Sequence, residues 1–164
     1  QLDRLDALIA DMRSRKGRLR ELVAGKLEAR GVRLRTINDP EGDASIALIF
    51  FLPDHGRTEE VVSALADEGV PASRLYLEMR DLPHDYIDLH AYPAWAPILR
   101  KRTWTAEGGP WRWHPGPVEY GADDCPVTMD LLRRAVQVAI SPELTAAQVE
   151  QMGAAIPAVV EKLL

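Results

Sequence analysis

The stretch Ser45–Leu52 is apolar at every position after its first, and Pro53 closes it. A run of this length bounded by turn residues reads as a central strand with both faces covered. Such a strand obliges the rest of the chain to supply covering layers. Just before it, Val32–Ile37 alternates apolar and polar as a half-exposed strand does, and Asn38-Asp39-Pro40-Glu41-Gly42-Asp43 supplies a turn. The two runs are expected to form an antiparallel pair.

The covering layers are legible as helices. Leu5, Leu8, Ile9, Met12, Leu19, Leu22, Val23 and Leu27 recur at three- and four-residue steps, giving one long amphipathic helix that Arg30 and Gly31 should end. Gly17 and Gly25 inside it each cost about 1 kcal/mol relative to alanine, so the helix has to lean on something. Thr58–Glu68 carries Val61, Val62 and Leu65 on one side, with Glu59 and Glu60 in its first turn, and is stopped by Gly69 and Pro71. Ala72–Leu77 is a weak strand candidate, and Trp95–Lys101 has room for a helical turn or two. Thr128–Arg134 reads as a short helix and Ala135–Ile140 as a strand. Thr145 and Gln148 form a capping box for a last helix, whose face is Val149, Met152, Ile156, Val160 and Leu163 and which Pro157 should kink. The sum is an α/β fold of the α+β type, a small, largely antiparallel sheet covered by helices.

With 164 residues the chain suits one domain with a real core. Its longest apolar run is too short to span a bilayer, so no membrane insertion is expected. A net charge of -5 argues against polyphosphate backbones, and Arg13, Arg15, Lys16, Arg18 and Arg20, offset by nearby acids, read as a solvated face, so no nucleic-acid partner is expected. One cysteine allows no internal disulfide, and the acidic opening with Asp3 and Asp6 is unlike a signal or transit peptide, so a cytoplasmic location is expected. The abrupt helical start at Gln1 reads as a cut.

Chemistry concentrates between Asp88 and Arg134, which holds all four tryptophans, His90, His114 and Cys125. Acids beside Cys125 disfavour a reactive thiolate, and a packed thiol is expected. The histidines and Cys125 lack the ligand spacing of zinc sites, and neither a Gly-rich phosphate loop nor a Gly-x-Ser-x-Gly elbow occurs. What remains is aromatic rings interleaved with His90, Arg100, Lys101, Arg102, Arg112 and Glu119. Such a mixture suits a polar ring-shaped substrate, and it equally suits docking on another protein domain.

Four segments then carry a resemblance: Gln1–Asp6; Asp88-Leu89-His90-Ala91-Tyr92-Pro93-Ala94-Trp95 and on to Leu99; Cys125-Pro126-Val127-Thr128-Met129-Asp130-Leu131-Leu132-Arg133-Arg134-Ala135-Val136; and Ser141–Thr145. Together they resemble the C-terminal part of sugar aminotransferases of the DegT/DnrJ/EryC1/StrS family, closest to the 8-amino-3,8-dideoxy-octulosonate aminotransferase branch. The resemblance implies the small domain of a fold type I enzyme dependent on pyridoxal phosphate (PLP), moving an amino group from glutamate or glutamine to a keto-sugar. It implies that residues 1–164 are that domain alone, that PLP and its Schiff-base lysine belong to a large domain outside this chain, and that the enzyme is a homodimer. His90, Tyr92 and Trp95 would form a substrate-binding wall, with no catalytic or cofactor-binding residue here. Lys101, ahead of Glu107-Gly108-Gly109, echoes the family's lysine motif but falls downstream of where that motif belongs. The rival expectation is a free-standing, non-catalytic sugar-binding or protein-interaction module of the same fold.

Overall fold

The computed structural model describes residues 2–75, 92, 95–121 and 124–164. It divides into two compact units, Gln1–Leu75 with Arg133–Leu164, and Tyr76–Leu132.

The first unit contains the sheet. Ala47–Phe51 (β2) pairs antiparallel with Arg33–Leu34 (β1) on one side and with Ala135–Ala139 (β4) on the other, and Ala72–Arg74 (β3) pairs antiparallel with β4. The order is β1-β2-β4-β3, so the apolar run sits inside the sheet as its composition requires. Alternation along β2 and β4 turns Leu48, Phe50, Val136 and Val138 into one core. Ile49, Phe51 and Gln137, on the opposite face, are only half-buried.

Helices close the core face. Leu5–Glu28 (α1) contributes Leu19, Val23 and Leu27; Thr58–Asp67 (α2) contributes Val61 and Leu65; Ala146–Leu163 (α5) contributes Val149, Met152, Ile156, Val159 and Val160. Each such side chain, fully withdrawn from water, contributes about 1.5–3 kcal/mol before entropy is counted. α1 ends near its expected stop, with Gly31 at φ +73°. The capping box of α5 is formed in both directions: Gln148 N–H donates to Thr145 Oγ1 at 3.2 Å, and Thr145 N–H donates to Gln148 Oε1 at 2.9 Å.

Three expectations need correction. β1 is two residues long, because the Arg35 N–H bond to Ile49 O is followed by the turn that Asp39 organises through the Glu41 and Gly42 amides. The basic cluster on α1 is not simply a solvated face. Lys16 is only 4% exposed, and its ammonium is bonded to the Asp43 carboxylate, while Arg13 donates to the carbonyls of Glu41 and Asp43. Arg15 Nε likewise reaches Leu144 O at 2.6 Å. Finally, Cys125 is exposed rather than packed.

Candidate functional site

The second unit carries all four tryptophans, and its main chain joins two of the three expected wall residues in one turn. Trp95 N–H donates to Tyr92 O at 2.9 Å, and Trp95 O then accepts from Ile98 and Leu99 at the start of Ala96–Leu99 (α3). His90 lies outside the described residues. Trp95 is 41% exposed and begins a helix of a single turn, which Lys101, at φ +47°, brings to a halt.

Tyr92 has a more specific position than the sequence suggested. Its hydroxyl donates to Gly121 O at 2.7 Å and accepts from Asp124 N–H at 2.8 Å, while Gly121 N–H donates to Asp124 Oδ2 at 2.8 Å. Its ring packs with Leu132 against buried Met129. The phenol therefore fixes the turn that leads into Pro126–Arg134 (α4), whose first backbone bond runs from Met129 N–H to Cys125 O. With its hydroxyl engaged on both sides, Tyr92 offers a ligand the flank of its ring rather than a free donor.

Between α3 and α4 the chain forms a turn held by two threonines. Thr103 Oγ1 donates to Gly109 O at 2.7 Å, and Gly109 N–H donates to Thr105 Oγ1 at 3.1 Å. Trp113 packs on Gly109, where any side chain would collide with its indole. Trp111 Nε1 donates to Tyr120 Oη at 3.0 Å, and Lys101 Nζ pairs with Glu119 Oε1 at 2.9 Å. Trp104, inside this turn, is 87% exposed, and Trp113 is 66% exposed. Thr103, Thr105, Gly121 and Asp124 were not singled out from sequence. Their only sequence signal is the density of turn-forming types around Gly108-Gly109-Pro110 and Asp123-Asp124.

A PLP site needs a lysine free to form a Schiff base and a cradle of donors for the phosphate. Lys101 is held by Glu119, and Lys16 is buried against Asp43. Lys162 lines a groove of about 250 Å³ between α2 and α5 whose other walls are alanines, Val159, Leu163 and the acids Asp67 and Glu68, a poor setting for a phosphate ester. None of these three lysines fits the cofactor.

No protein-family model matches the chain. Among solved structures, that of 3-amino-5-hydroxybenzoic acid synthase superposes with a TM-score of 0.64 at 18% sequence identity, over 99% of this chain and 36% of the synthase. The fold is shared with part of that synthase. At this identity the likeness establishes architecture, and the chain spans about a third of the protein it matches.

Proposed function

We propose that this chain is the smaller domain of a PLP-dependent sugar aminotransferase of the DegT/DnrJ/EryC1/StrS type, acting in the cytoplasm as part of a homodimer. The observation that carries the reading is that essentially the whole chain superposes on roughly a third of a synthase of an amino-substituted ring acid. The remaining portion of such an enzyme is where PLP and its lysine belong in this reading, in keeping with the poor fit of Lys16, Lys101 and Lys162. PLP supplies the electron sink for moving an amino group.

On this reading the chain's own part is substrate recognition. Trp95 and the flank of Tyr92 offer apolar surface to the face of a keto-sugar, and His90, two residues before Tyr92, takes a hydroxyl or acidic group. Glutamate or glutamine is the amino donor, and the octulosonate branch gives the class of sugar. The exposed Trp104 and Trp113 favour a second reading, a non-catalytic sugar-binding or protein-interaction module of the same fold.

The discriminating experiment assays amino transfer to keto-sugars by the chain joined to its larger domain. His90→Ala is expected to lower kcat/KM by about tenfold to a hundredfold, the value of one hydrogen bond to a charged group. An assembly that transfers no amino group from either donor, yet binds sugars, would establish the module instead.

A further inference from the structure

The turn between α3 and α4 is built around one flat ring. A Cβ placed on Gly109 would stand 2.4, 2.3 and 2.5 Å from Cε2, Cζ2 and Cη2 of Trp113, three consecutive atoms of its six-membered ring. A point almost equidistant from three such atoms lies over the centre of the ring, so Gly109 sits beneath one face of the indole. Gly109 is buried while Trp113 is 66% exposed, which leaves the opposite face open to water. The floor is fixed, because Thr103 Oγ1 and Thr105 Oγ1 hold the Gly109 carbonyl and amide. The preceding side chain repeats the arrangement. Arg112 N–H donates to Gly108 O at 3.2 Å, and the Arg112 stem lies against Gly108, with Cδ 3.3 Å from where a Cβ would be. An ordered indole face and an exposed guanidinium thus stand side by side on one short turn.

Charge gives this turn a preference. Residues 100–120 hold four cations (Arg100, Lys101, Arg102 and Arg112) against two carboxylates (Glu107 and Glu119), in a chain whose net charge is -5. Lys101 pairs with Glu119 at 2.9 Å, whereas Arg100, Arg102 and Arg112 are exposed. A local surplus of guanidinium groups on an acidic chain draws anions to the turn. An indole covered on one side and bare on the other offers a flat apolar face, and the guanidinium beside it matches a carboxylate with two parallel hydrogen bonds. A saturated ring with C–H groups on one face and an acid at its edge meets both. Trp104, 87% exposed and next to Thr103 in the chain, widens the apolar surface. Leu2 and Leu5, by the start of α1, are exposed as well, at 82% and 46%, but the acids around them, Asp3 and Asp6, would repel such a ligand.

We propose that the outer face of Trp113 and the Arg112 guanidinium form a binding site for a carboxylate-bearing sugar, the sugar ring stacking on the indole and its acid group bonding to Arg112. Neither residue belongs to the expected wall of His90, Tyr92 and Trp95, so this is a second place for carbohydrate on the chain. The threonine-held floor keeps the ring ordered before the ligand arrives, which lowers the entropic cost of binding. One stacked ring and one solvent-exposed charge pair sustain weak binding, with a Kd of about a millimolar. The proposal rests on the reading of this chain as a carbohydrate-recognising domain and uses no PLP. Amino transfer by an assembly whose Trp113 binds no acidic sugar would remove this site alone. Binding at Trp113 without amino transfer would remove the aminotransferase reading alone.

Titration of the full chain with D-galacturonate, followed through the indole N–H resonances in NMR, tests the site. D-galactose, in which a hydroxymethyl group replaces the carboxylate, is the control. The expected result is a saturable shift of the indole resonance that Trp113→Tyr removes, with galactose binding about tenfold more weakly, the value of a hydrogen bond to a charged group. Arg112→Gln should bring galacturonate down to the level of galactose and leave galactose unchanged, and Trp113→Ala should abolish binding of both. Arg112 is exposed, so its variant leaves the core intact and carries the test even if Trp113→Ala disturbs the turn. No saturable binding, equal binding of the two sugars, or a shift indifferent to Arg112→Gln overturns the proposal. So does a shift confined to another tryptophan. Binding that disappears once the chain is joined to a larger domain overturns it as well, because protein then covers the ring.

Discussion

Asp43 is the residue through which a loop is tied to the first helix. Lys16, Ser45 and Arg35 all approach its carboxylate, Ser45 Oγ at 3.1 Å and Arg35 Nη2 at 3.8 Å. The hydrogen bond from Lys16, then that from Ser45, hold the Asp43 carboxyl below its usual range, against a desolvation that pushes the other way. Because the folded value is depressed, the contribution is fully present above the unfolded aspartate pKa of about 3.9 and is lost as pH falls below that through the folded value. Acid unfolding followed by circular dichroism should therefore show wild type losing a stabilisation that Asp43→Asn never had, with the two converging at the acid end. Lys16→Met should cost about 1–3 kcal/mol in urea at neutral pH, because Asp43 keeps Ser45 and some solvent after losing its main partner. No change in the urea midpoint would mean that the buried ammonium is merely tolerated. This lysine was half-legible. Lys16 falls on the stripe of Leu19, Val23 and Leu27 at helical spacing, but its partner lies 27 residues away and no local pattern announces it. At the same scale, Tyr92→Phe removes both hydroxyl bonds to the Gly121–Asp124 turn. Hydrogen exchange at the Asp124 amide should speed up about tenfold, as expected for about 1–1.5 kcal/mol of lost bonding. Unchanged protection there would show that ring packing alone holds the turn.

At the scale of elements, the helix ends and the inner strands follow from sequence because their determinants are local: an apolar run, a capping box, glycines just beyond helices. Thr145→Ala should accordingly cost about 1 kcal/mol by calorimetry, since it removes the hydroxyl that accepts from the Gln148 N–H and leaves only the backbone half of the box. The α1–α5 contact depends on something no periodicity records. A Cβ at Gly153 would stand 2.8 Å from Leu22 Cβ and 2.4 Å from Leu22 Cδ1, so the helices meet where one has no side chain. Gly153→Ala is predicted to destabilise by about 1–3 kcal/mol through overpacking, despite its better helix propensity. A stabilised variant would mean that the helices part at no cost. The shortened β1 and the unused start of α1 were illegible for a related reason. How far an amphipathic pattern is buried depends on how far the sheet extends beneath it, and pattern alone does not contain that length.

For the molecule as a whole, the antiparallel pairing of the first two strands and the helix layer were within reach of the sequence, while the strand order and the phenol's hydrogen bonds were not. Tyr92 and Trp95 share one backbone turn, and the phenol's engagement with Gly121 and Asp124 depends on a contact across 29 to 32 residues. Cys125 is exposed where a packed thiol was expected, because the turn set by Tyr92 and Asp124 presents it at the start of α4 instead of folding it inward. Among the described residues no helix is long and apolar enough to cross a membrane. The central claim is that recognition belongs to this chain and the cofactor lysine to a larger companion domain. It is tested most directly by treating the chain, alone and joined to that domain, with PLP and then borohydride, and mapping the reduced peptides by mass spectrometry. The expected result is a stoichiometric pyridoxyl-lysine in the companion domain and none on Lys16, Lys26, Lys101 or Lys162, whereas a stoichiometric adduct on any of these four, Lys101 above all, would contradict it.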